Sequence, residues 1–283
     1  MKIYIVIPAY NEEAFLPQTL RSLAEQTYLP KKVIVVNDAS TDGTLELANS
    51  FSKKYTWLKV VSTTSASGHQ PGAKIIRAFN EGVAQLDDDF DILMKLDADI
   101  LLPKNYLETI VSLFNSNPKI GMAAGFACVE KEGNWVLENL TDADHIRGAL
   151  KAYRKECFSA IGGLREAMGW DTLDEVLARY FGWEIKTDVN LLAKHLKPTG
   201  ERYHAKSGSL QGKVFYSLRY GLFLTKIAVL KLAWRKKSTA YFFNAIQGYF
   251  GAWMTNQPKL LTREQGKFLR NYRWRKIAQK IFN

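Results

Sequence analysis

The feature that most constrains this chain is a pattern repeated along its first hundred residues: a short apolar run, a polar loop and an amphipathic segment. The apolar runs predict four strands, at Lys2–Ile7, Lys32–Val36, Trp57–Ser62 and Asp91–Leu96. The segments between them predict three helices, at Glu12–Gln26, Thr44–Phe51 and Gly72–Leu86. Strands that alternate with helices in this way indicate a parallel sheet covered by helices. The predicted fold class is therefore α/β, with a mostly parallel, Rossmann-like sheet flanked by helices.

The second half of the chain has a different character. A strand pair is predicted at Ile120–Val129 and Asn134–Leu137, and helices are predicted at Arg147–Ala160, Asp171–Phe181, Tyr216–Arg235 and Thr239–Met254. Residues 201–283 carry 17 Lys and Arg against 2 Asp and Glu, whereas residues 1–200 carry 22 against 26. We therefore expect a catalytic part, residues 1–200, followed by a basic helical extension, residues 201–283, that faces an anionic surface or a partner.

Composition excludes several classes of protein. A 283-residue chain that is 47% apolar is not intrinsically disordered. Two cysteines exclude a disulfide scaffold and suit a reducing compartment. The opening residues lack a signal-peptide pattern, and no run of about 18 apolar residues predicts a membrane-spanning helix. We expect a cytoplasmic protein.

Polar residues follow each predicted strand of the first half, in the loops Pro8–Glu13, Asn37–Gly43, Ser65–Lys74 and Asp97–Asp99. In a parallel sheet these loops share one edge, where ligands bind. Asp97 and Asp99 are carboxylates one residue apart, and Mg²⁺ and Mn²⁺ prefer such oxygen ligands while leaving room for substrate phosphates. The triplet predicts a divalent-cation site, with a solvated turn as the alternative.

Three further residues of these loops suit a nucleotide. Asp38 can accept hydrogen bonds from a base or a ribose, or it can cap the next helix. Tyr10 can stack on a base or close the core beneath its loop. Lys74 lies in the first turn of a predicted helix, where both the lysine and the helix terminus favour phosphate, and a solvated lysine is the alternative.

Taken together, Ile5–Glu13 (IVIPAYNEE), Val35–Thr44 (VVNDASTDGT) and Leu96–Asp99 (LDAD) resemble glycosyltransferase family 2, in both order and spacing. The resemblance covers about residues 1–195 and implies a GT-A fold. Ala39 stands where the family usually has glycine. The resemblance implies a Mn²⁺ or Mg²⁺ ion at Asp97 and Asp99, and it implies donor contacts from Pro8, Ala9, Tyr10, Asn11, Glu12, Asp38, Asp97 and Ala98. Lys74, from the loop before the third helix, is added to these donor contacts.

The similarity continues through Ala152–Phe158 and Ile161–Leu164, which are similar to the family's acceptor-side helix and Gly-Gly turn. The family then carries a Glu-Asp pair on a helix that ends at a glycine. Counting back from Gly182 matches that Asp to Asp171, which the resemblance makes the catalytic base. The Glu position holds Trp170, which could stack on the acceptor sugar or pack in the core.

The remaining site assignments also come from the resemblance. Asp174 is assigned to the acceptor side, and both Asp174 and Glu175 are alternatives to Asp171 as the base. His204 is the candidate third metal ligand, because the family often uses a histidine after the base helix.

The implied reaction is the inverting transfer of a sugar from a UDP- or GDP-sugar to an acceptor hydroxyl, in the synthesis of a glycan, glycolipid or cell-surface polysaccharide. A nucleotidyltransferase is one alternative, although the acidic loop Pro8–Glu12 lacks the Gly-rich, basic character that such an enzyme needs. A non-catalytic, membrane-associated protein that binds nucleotide sugars is another.

The basic extension is also rich in aromatic residues, and it contains the cluster Arg235-Lys236-Lys237. Basic helices with an aromatic face bind membrane interfaces and anionic lipid. This pattern favours peripheral attachment at the inner face of the cell membrane, and the family resemblance adds a lipid-linked or sugar acceptor. A helical cap on the catalytic domain and a homodimer interface are alternatives. Nucleic-acid binding is disfavoured, because the charges are interleaved with large apolar faces and no binding motif is present.

Overall fold

The computed structural model describes residues 1–63, 72–138, 145–197 and 207–282. The chain divides into two compact units, Met1–Pro198 and Thr199–Asn283. This division falls within two residues of the point at which the charge of the sequence changes.

The first unit opens with alternating strands and helices. Its strands are β1 (Ile3–Ala9), β2 (Lys32–Asp38), β3 (Leu58–Thr63) and β4 (Ile92–Leu96), and its helices are α1 (Leu16–Ala24), α2 (Thr44–Lys54) and α3 (Ala73–Val83). The strands pair in the order β3-β2-β1-β4, and each of these pairs is parallel. Every residue of β1 and β4 is buried, as expected for strands covered on both faces.

Helix α3 lies very close to this parallel sheet. A Cβ atom added at Gly82 would come within 2.4 Å of Val6 Cγ1 and 2.7 Å of Val36 Cγ2. Glycine therefore lets the helix backbone pack directly against the β-branched side chains of β1 and β2.

The rest of the unit extends the sheet. It contains β5 (Ile100–Leu101), α4 (Tyr106–Ser116), β6 (Ile120–Lys131), β7 (Asn134–Leu137), β8 (Leu150–Arg154), α5 (Lys155–Ala160), α6 (Trp170–Tyr180) and β9 (Glu184–His195). Strand β8 is antiparallel to both β4 and β6, and β9 is parallel to β6. The described strands form one mixed sheet of nine, in the order β3-β2-β1-β4-β8-β6-β9-β5 with β7 paired to β6. This architecture confirms the predicted α/β fold class.

The predicted helix Arg147–Ala160 is wrong over its first half. Residues of β8 form a central strand there, and only α5 is helical. Four of the five residues of β8 are buried, including Lys151, so the strand lacks the alternation of apolar and polar side chains by which strands are recognised.

The second unit is helical, with α7 (Ser207–Ser217), α8 (Leu222–Arg235), α9 (Thr239–Met254) and α10 (Arg263–Phe282). These helices confirm the predicted helical extension. The single helix predicted at Tyr216–Arg235 is wrong, because Arg219 (φ 56°) and Gly221 (φ 75°) adopt left-handed conformations that separate α7 from α8. Among the described residues, no helix combines the length and the apolar character that crossing a bilayer requires.

Candidate active site

Three strand ends bring the sequence-predicted residues to one edge of the sheet. In the parallel register Ala9 lies opposite Asn37, and Val6 lies opposite Lys95, two residues before Asp97. The loops that follow β1, β2 and β4 therefore leave the sheet side by side, where α/β proteins bind their ligands. Residues 64–71 lie outside the described residues, so only the end of the third loop contributes here.

Lys74 joins the two residues predicted to hold a nucleoside. Its Nζ lies 3.4 Å from Asp38 Oδ2 and 3.8 Å from the centroid of the Tyr10 ring. The Thr63 hydroxyl donates to Asp38 Oδ1 at 3.1 Å. Tyr10 is exposed and Asp38 is buried, so the cluster offers an aromatic ring, with the Lys74 ammonium over one of its faces, beside a fixed carboxylate. A base stacked on that ring would place a polar edge or a ribose near Asp38.

The loops after β1 and β2 are held to one another by Asn11, and each loop contains a residue with positive φ, Asn11 (54°) and Ala39 (55°). The Asn11 amide N–H donates to Ser40 Oγ at 3.1 Å, and the Thr41 amide N–H donates to Asn11 Oδ1 at 2.8 Å. Ala39 occupies a left-handed conformation that glycine adopts without strain.

The Asp97-Ala98-Asp99 triplet is anchored residue by residue. Asp97 Oδ1 accepts a hydrogen bond from Lys95 Nζ, and the Ala98 carbonyl accepts one from the Thr19 hydroxyl at 2.8 Å. Asp99 Oδ2 lies 3.3 Å from Nε2 of His195, the last residue of β9. Because both carboxylates are tethered, their positions are fixed before any ligand arrives.

His195 is a site residue that the sequence interpretation did not assign. Burial alone would lower the pKa of His195, but its hydrogen bonds with Asp99 and Glu138 and the charges of Asp99 and Asp97 raise it to about 9. The available signal was its position at the end of a strand, and β9 itself was not predicted. His204, the predicted third ligand, lies outside the described residues.

The carboxylate oxygens at this edge are suitable ligands for a hard divalent cation. Burial raises the pKa of Glu12 and the charges of Asp99 and Asp97 raise it further, although Lys197, at 2.9 Å from Glu12 Oε1, lowers it. Glu12 Oε2 is buried and has no hydrogen-bond partner. Across the described ranges no three His, Cys, Asp or Glu side chains already converge as a complete metal site. Mg²⁺ and Mn²⁺ typically bind one or two carboxylates plus substrate phosphates, so an incomplete protein shell suits them.

Beneath the triplet lie two fully buried lysines. Lys95 of β4 and Lys151 of β8 are direct cross-strand partners, and their Nζ atoms lie 5.3 and 5.5 Å from the Trp170 ring centroid. A Cβ atom added at Gly148 would come within 2.7 Å of the same ring. Like charges in opposition destabilise a sheet unless each is compensated, and here the ring and nearby carboxylates compensate them.

Lys151 carries the hydrogen bonds that hold helix α6. Its Nζ donates to the Asp171 carbonyl at 2.6 Å and to Asp174 Oδ1 at 2.8 Å, and it lies 3.4 Å from Glu175 Oε1. The Tyr153 hydroxyl donates to Asp174 Oδ2 at 2.5 Å. Burial raises the pKa of Asp174 to about 6, although Lys151 opposes this shift.

These contacts alter two of the assignments to the acceptor side. Asp174 is buried beneath Lys151 and Tyr153, so its carboxylate is not available to a sugar. Trp170 is also buried, with two ammonium groups and Gly148 around its ring. It therefore packs in the core, which is the alternative given above, and does not present its ring to an acceptor sugar. Both residues position the start of α6.

Asp171 is the carboxylate of α6 that reaches solvent. Its side chain is 37% exposed, and its Oδ2 lies 3.9 Å from His145 Nε2. His145 Nδ1 lies 3.1 Å from Oε1 of the buried Glu175. No pattern in the sequence singles out His145. The arrangement offers one accessible proton acceptor backed by an imidazole and a second, buried carboxylate.

A family model, Glycosyl transferase family 2, matches residues 4–167. The poly-beta-1,6-N-acetyl-D-glucosamine synthase of Staphylococcus epidermidis is 30% identical over 216 residues, which are 69% of this chain and 50% of the relative. The chain spans only 29% to 50% of the length of the first curated relatives that it matches.

Solved structures share the fold. A mannosyltransferase from Pyrobaculum calidifontis, PcManGT, in complex with GDP-Man and Mn²⁺, superposes with a TM-score of 0.61 at 19% identity, covering 98% of this chain and 80% of that one. S. aureus TarS 1–349 in complex with UDP-GlcNAc superposes with a TM-score of 0.58 at 19% identity, covering 88% of this chain and 70% of that one. The fold is that of the GT-A glycosyltransferases. With its family match across more than half of its length, this chain belongs to glycosyl transferase family 2.

Proposed function

We propose that this chain transfers a sugar from a nucleotide-sugar donor to an acceptor hydroxyl, with inversion at the anomeric carbon. The observation that carries the proposal is that two groups of carboxylates are anchored to adjacent strands of the sheet by buried lysines. Asp97 is tethered to Lys95 of β4, and the helix that bears Asp171 is tethered to the opposing Lys151 of β8. One set can face a diphosphate while the other faces the incoming alcohol.

The donor is a UDP- or GDP-sugar, since the structural neighbours named above are complexes with GDP-Man and with UDP-GlcNAc. Tyr10 stacks on the base, Asp38 accepts hydrogen bonds from the base or ribose, and Lys74 contacts phosphate or stays with Asp38. The backbone and side chains of Pro8, Ala9, Asn11, Glu12 and Ala98 shape the floor of this donor site.

The chemistry needs one proton acceptor and one stabilised leaving group. Asp171 takes the proton of the acceptor hydroxyl. As it does so, the acceptor oxygen attacks the anomeric carbon from the side opposite the diphosphate. The bond between that carbon and the diphosphate oxygen breaks, and the nucleoside diphosphate leaves with the electron pair. Asp97 and Asp99 would hold a Mn²⁺ or Mg²⁺ ion, which when bound would neutralise the charge on the diphosphate, and His195 keeps Asp99 in place.

A thermal-shift experiment tests the donor site directly. UDP-GlcNAc, UDP-Glc and GDP-Man are each added with and without Mn²⁺. We expect one donor class with Mn²⁺ to raise Tm by on the order of 5 °C, because a ligand well above its Kd stabilises the folded state. Asp99→Asn loses this increase, whereas Asp88→Asn, which changes a side chain that is 98% exposed, retains it. A full shift in Asp99→Asn contradicts the placement of the cation.

Product analysis separates the alternatives. Release of nucleoside diphosphate supports glycosyl transfer, and release of pyrophosphate supports a nucleotidyltransferase. Donor-dependent stabilisation without turnover supports a non-catalytic binding protein.

We also propose that the second unit attaches the chain to an anionic membrane surface. On α8 the residues Phe223, Ile227, Leu230 and Trp234 are between 42% and 81% exposed, and their spacing places them along one face of the helix. Lys226, Lys231 and Arg235 lie on the same helix, and the sequence contains no acidic residue between Arg202 and Arg263. An exposed apolar face among cations, in a segment of the sequence without acidic residues, is complementary to anionic lipid.

Vesicle co-sedimentation tests this surface. We expect binding to vesicles of phosphatidylcholine with one-third phosphatidylglycerol and little binding to phosphatidylcholine alone. Replacing Phe223 and Trp234 with Ser lowers the affinity at least about tenfold, because two large side chains no longer leave water.

The matched control replaces two exposed apolar residues of β9, Val189 and Leu192, with Ser, and it leaves vesicle binding unchanged. Equal binding by the control and by the Phe223/Trp234 variant contradicts the proposal. A concentration-dependent dimer that is lost in the Phe223/Trp234 variant assigns the face to a second copy of the chain instead.

A further inference from the structure

His145 lies between two carboxylates of helix α6 that differ in burial. Glu175 is buried, and its Oε1 lies 3.1 Å from His145 Nδ1. Asp171 is partly exposed, and its Oδ2 lies 3.9 Å from His145 Nε2. The imidazole side chain is 16% exposed. A single ring therefore connects the accessible carboxylate to the buried one and keeps a small opening to solvent.

Glu175 is held as a carboxylate. Burial would raise the pKa of Glu175, but Lys151, His145 and Arg179 outweigh burial and lower it to about 2. The Ile146 amide N–H donates to Glu175 Oε1 at 2.7 Å, and Arg179 lies 3.2 Å from Oε2. An anion fixed in this way accepts the Nδ1–H of a neutral imidazole. That tautomer leaves the lone pair of Nε2 on the side of Asp171.

We propose that His145 accepts, at Nε2, the proton that Asp171 removes from the acceptor hydroxyl. The O–H bond of the acceptor breaks and an O–H bond forms on the Asp171 carboxyl group. That O–H bond then breaks as an N–H bond forms at His145 Nε2, which returns Asp171 to its carboxylate form. The imidazolium, flanked by Asp171 and Glu175, loses this proton to water through its exposed edge.

The geometry requires a short approach of the two side chains. A separation of 3.9 Å exceeds hydrogen-bond length, and catalytic hydrogen bonds often shorten only when the substrate is bound. Within the described parts of the chain, the charged groups recorded beside the ring are Asp171 and Glu175, with Lys151 and Arg179 behind Glu175. This inference rests on the proposed role of Asp171 as the base.

One test needs no substrate. The two ring nitrogens of His145 are observed by ¹⁵N NMR, and their signals are identified by their loss in His145→Gln. We expect Asp171→Asn to shift the Nε2 resonance, since it removes an anion beside that nitrogen. We expect Glu175→Gln to lower the fraction of the Nδ1–H tautomer. If Asp171→Asn leaves the Nε2 resonance of His145 unchanged, the two groups are not coupled and the inference is overturned.

A second test uses turnover. Release of nucleoside diphosphate from the donor that gives the thermal shift is measured against pH, with water or sugar as the acceptor. We expect His145→Gln to lower kcat at least tenfold with an unchanged KM for the donor, and to remove the imidazole limb from the pH profile. A purely structural role would lower kcat without moving that limb.

The two proposals fail in different ways. If Asp171→Asn is as active as the wild type, the assignment of the base fails, and the inference about His145 fails with it. If Asp171→Asn is inactive while His145→Gln matches the wild type in kcat and in pH profile, only the inference about His145 is overturned.

Discussion

Asp171→Asn lowers kcat for nucleoside diphosphate release by about 100- to 10 000-fold, the contribution expected of a positioned general base. Asparagine has nearly the same shape but cannot take the acceptor's proton at neutral pH. We expect the KM for the donor to stay close to that of the wild type, because the proposed donor contacts lie at the ends of β1, β2 and β4. The measurement is initial rates of diphosphate release over a range of donor concentrations.

We do not expect the fall in kcat of Asp171→Asn to result from unfolding. Lys151 is bonded to the backbone carbonyl of Asp171 rather than to its side chain, so the substitution preserves that hydrogen bond and the unfolding midpoint. Asp88→Asn serves as a control for the removal of a surface carboxylate. A larger loss of kcat in Glu175→Gln than in Asp171→Asn would move the role of base to Glu175.

Lys151→Met destabilises the folded chain by about 3–5 kcal/mol at pH 7.5, because it leaves the buried carboxylate of Asp174 without its cation. This is a large part of the 5–15 kcal/mol typical of a domain. The pKa of Asp174 already stands at about 6, and losing Lys151 raises it further. Protonation of Asp174 removes the unpaired charge, so the deficit shrinks as the pH falls. Urea unfolding of both proteins at pH 7.5 and pH 5.5 measures the difference.

Two further variants isolate the electrostatic cause. Adding Asp174→Asn to Lys151→Met restores part of the lost stability, since the uncompensated charge is gone. Lys155→Met removes a partly exposed lysine and costs little. Equal losses from Lys151→Met and Lys155→Met would show that the buried ion pairs contribute nothing to stability.

The parallel half of the sheet was predictable because two independent patterns agreed there. Each strand is a short apolar run, and each run ends in the polar residues that the fold places at one edge. This is why Tyr10, Asp38, Lys74 and Asp97 were identified together from the sequence, and the structure brings them to one edge of the sheet.

The acceptor side was harder to predict. A buried lysine in a central strand looks polar in the sequence, so the pattern predicts a helix in place of β8. It therefore does not indicate the ion pair of Lys151 with Asp174. Strand β9 is largely exposed over its first seven residues and gives little apolar signal, so His195 at its end was missed. His145 was missed because its neighbours come from a helix 26 to 30 residues further along the chain.

The antiparallel ladder between β4 and β8 runs from the pair Ile92 and Arg154 to the pair Leu96 and Leu150. Slipping this register by one residue would send the side chains of one strand to the other side of the sheet and separate Lys95 from Lys151. Insertions and deletions are therefore not tolerated within either strand. Changes in chain length are therefore expected in the segments that connect the strands.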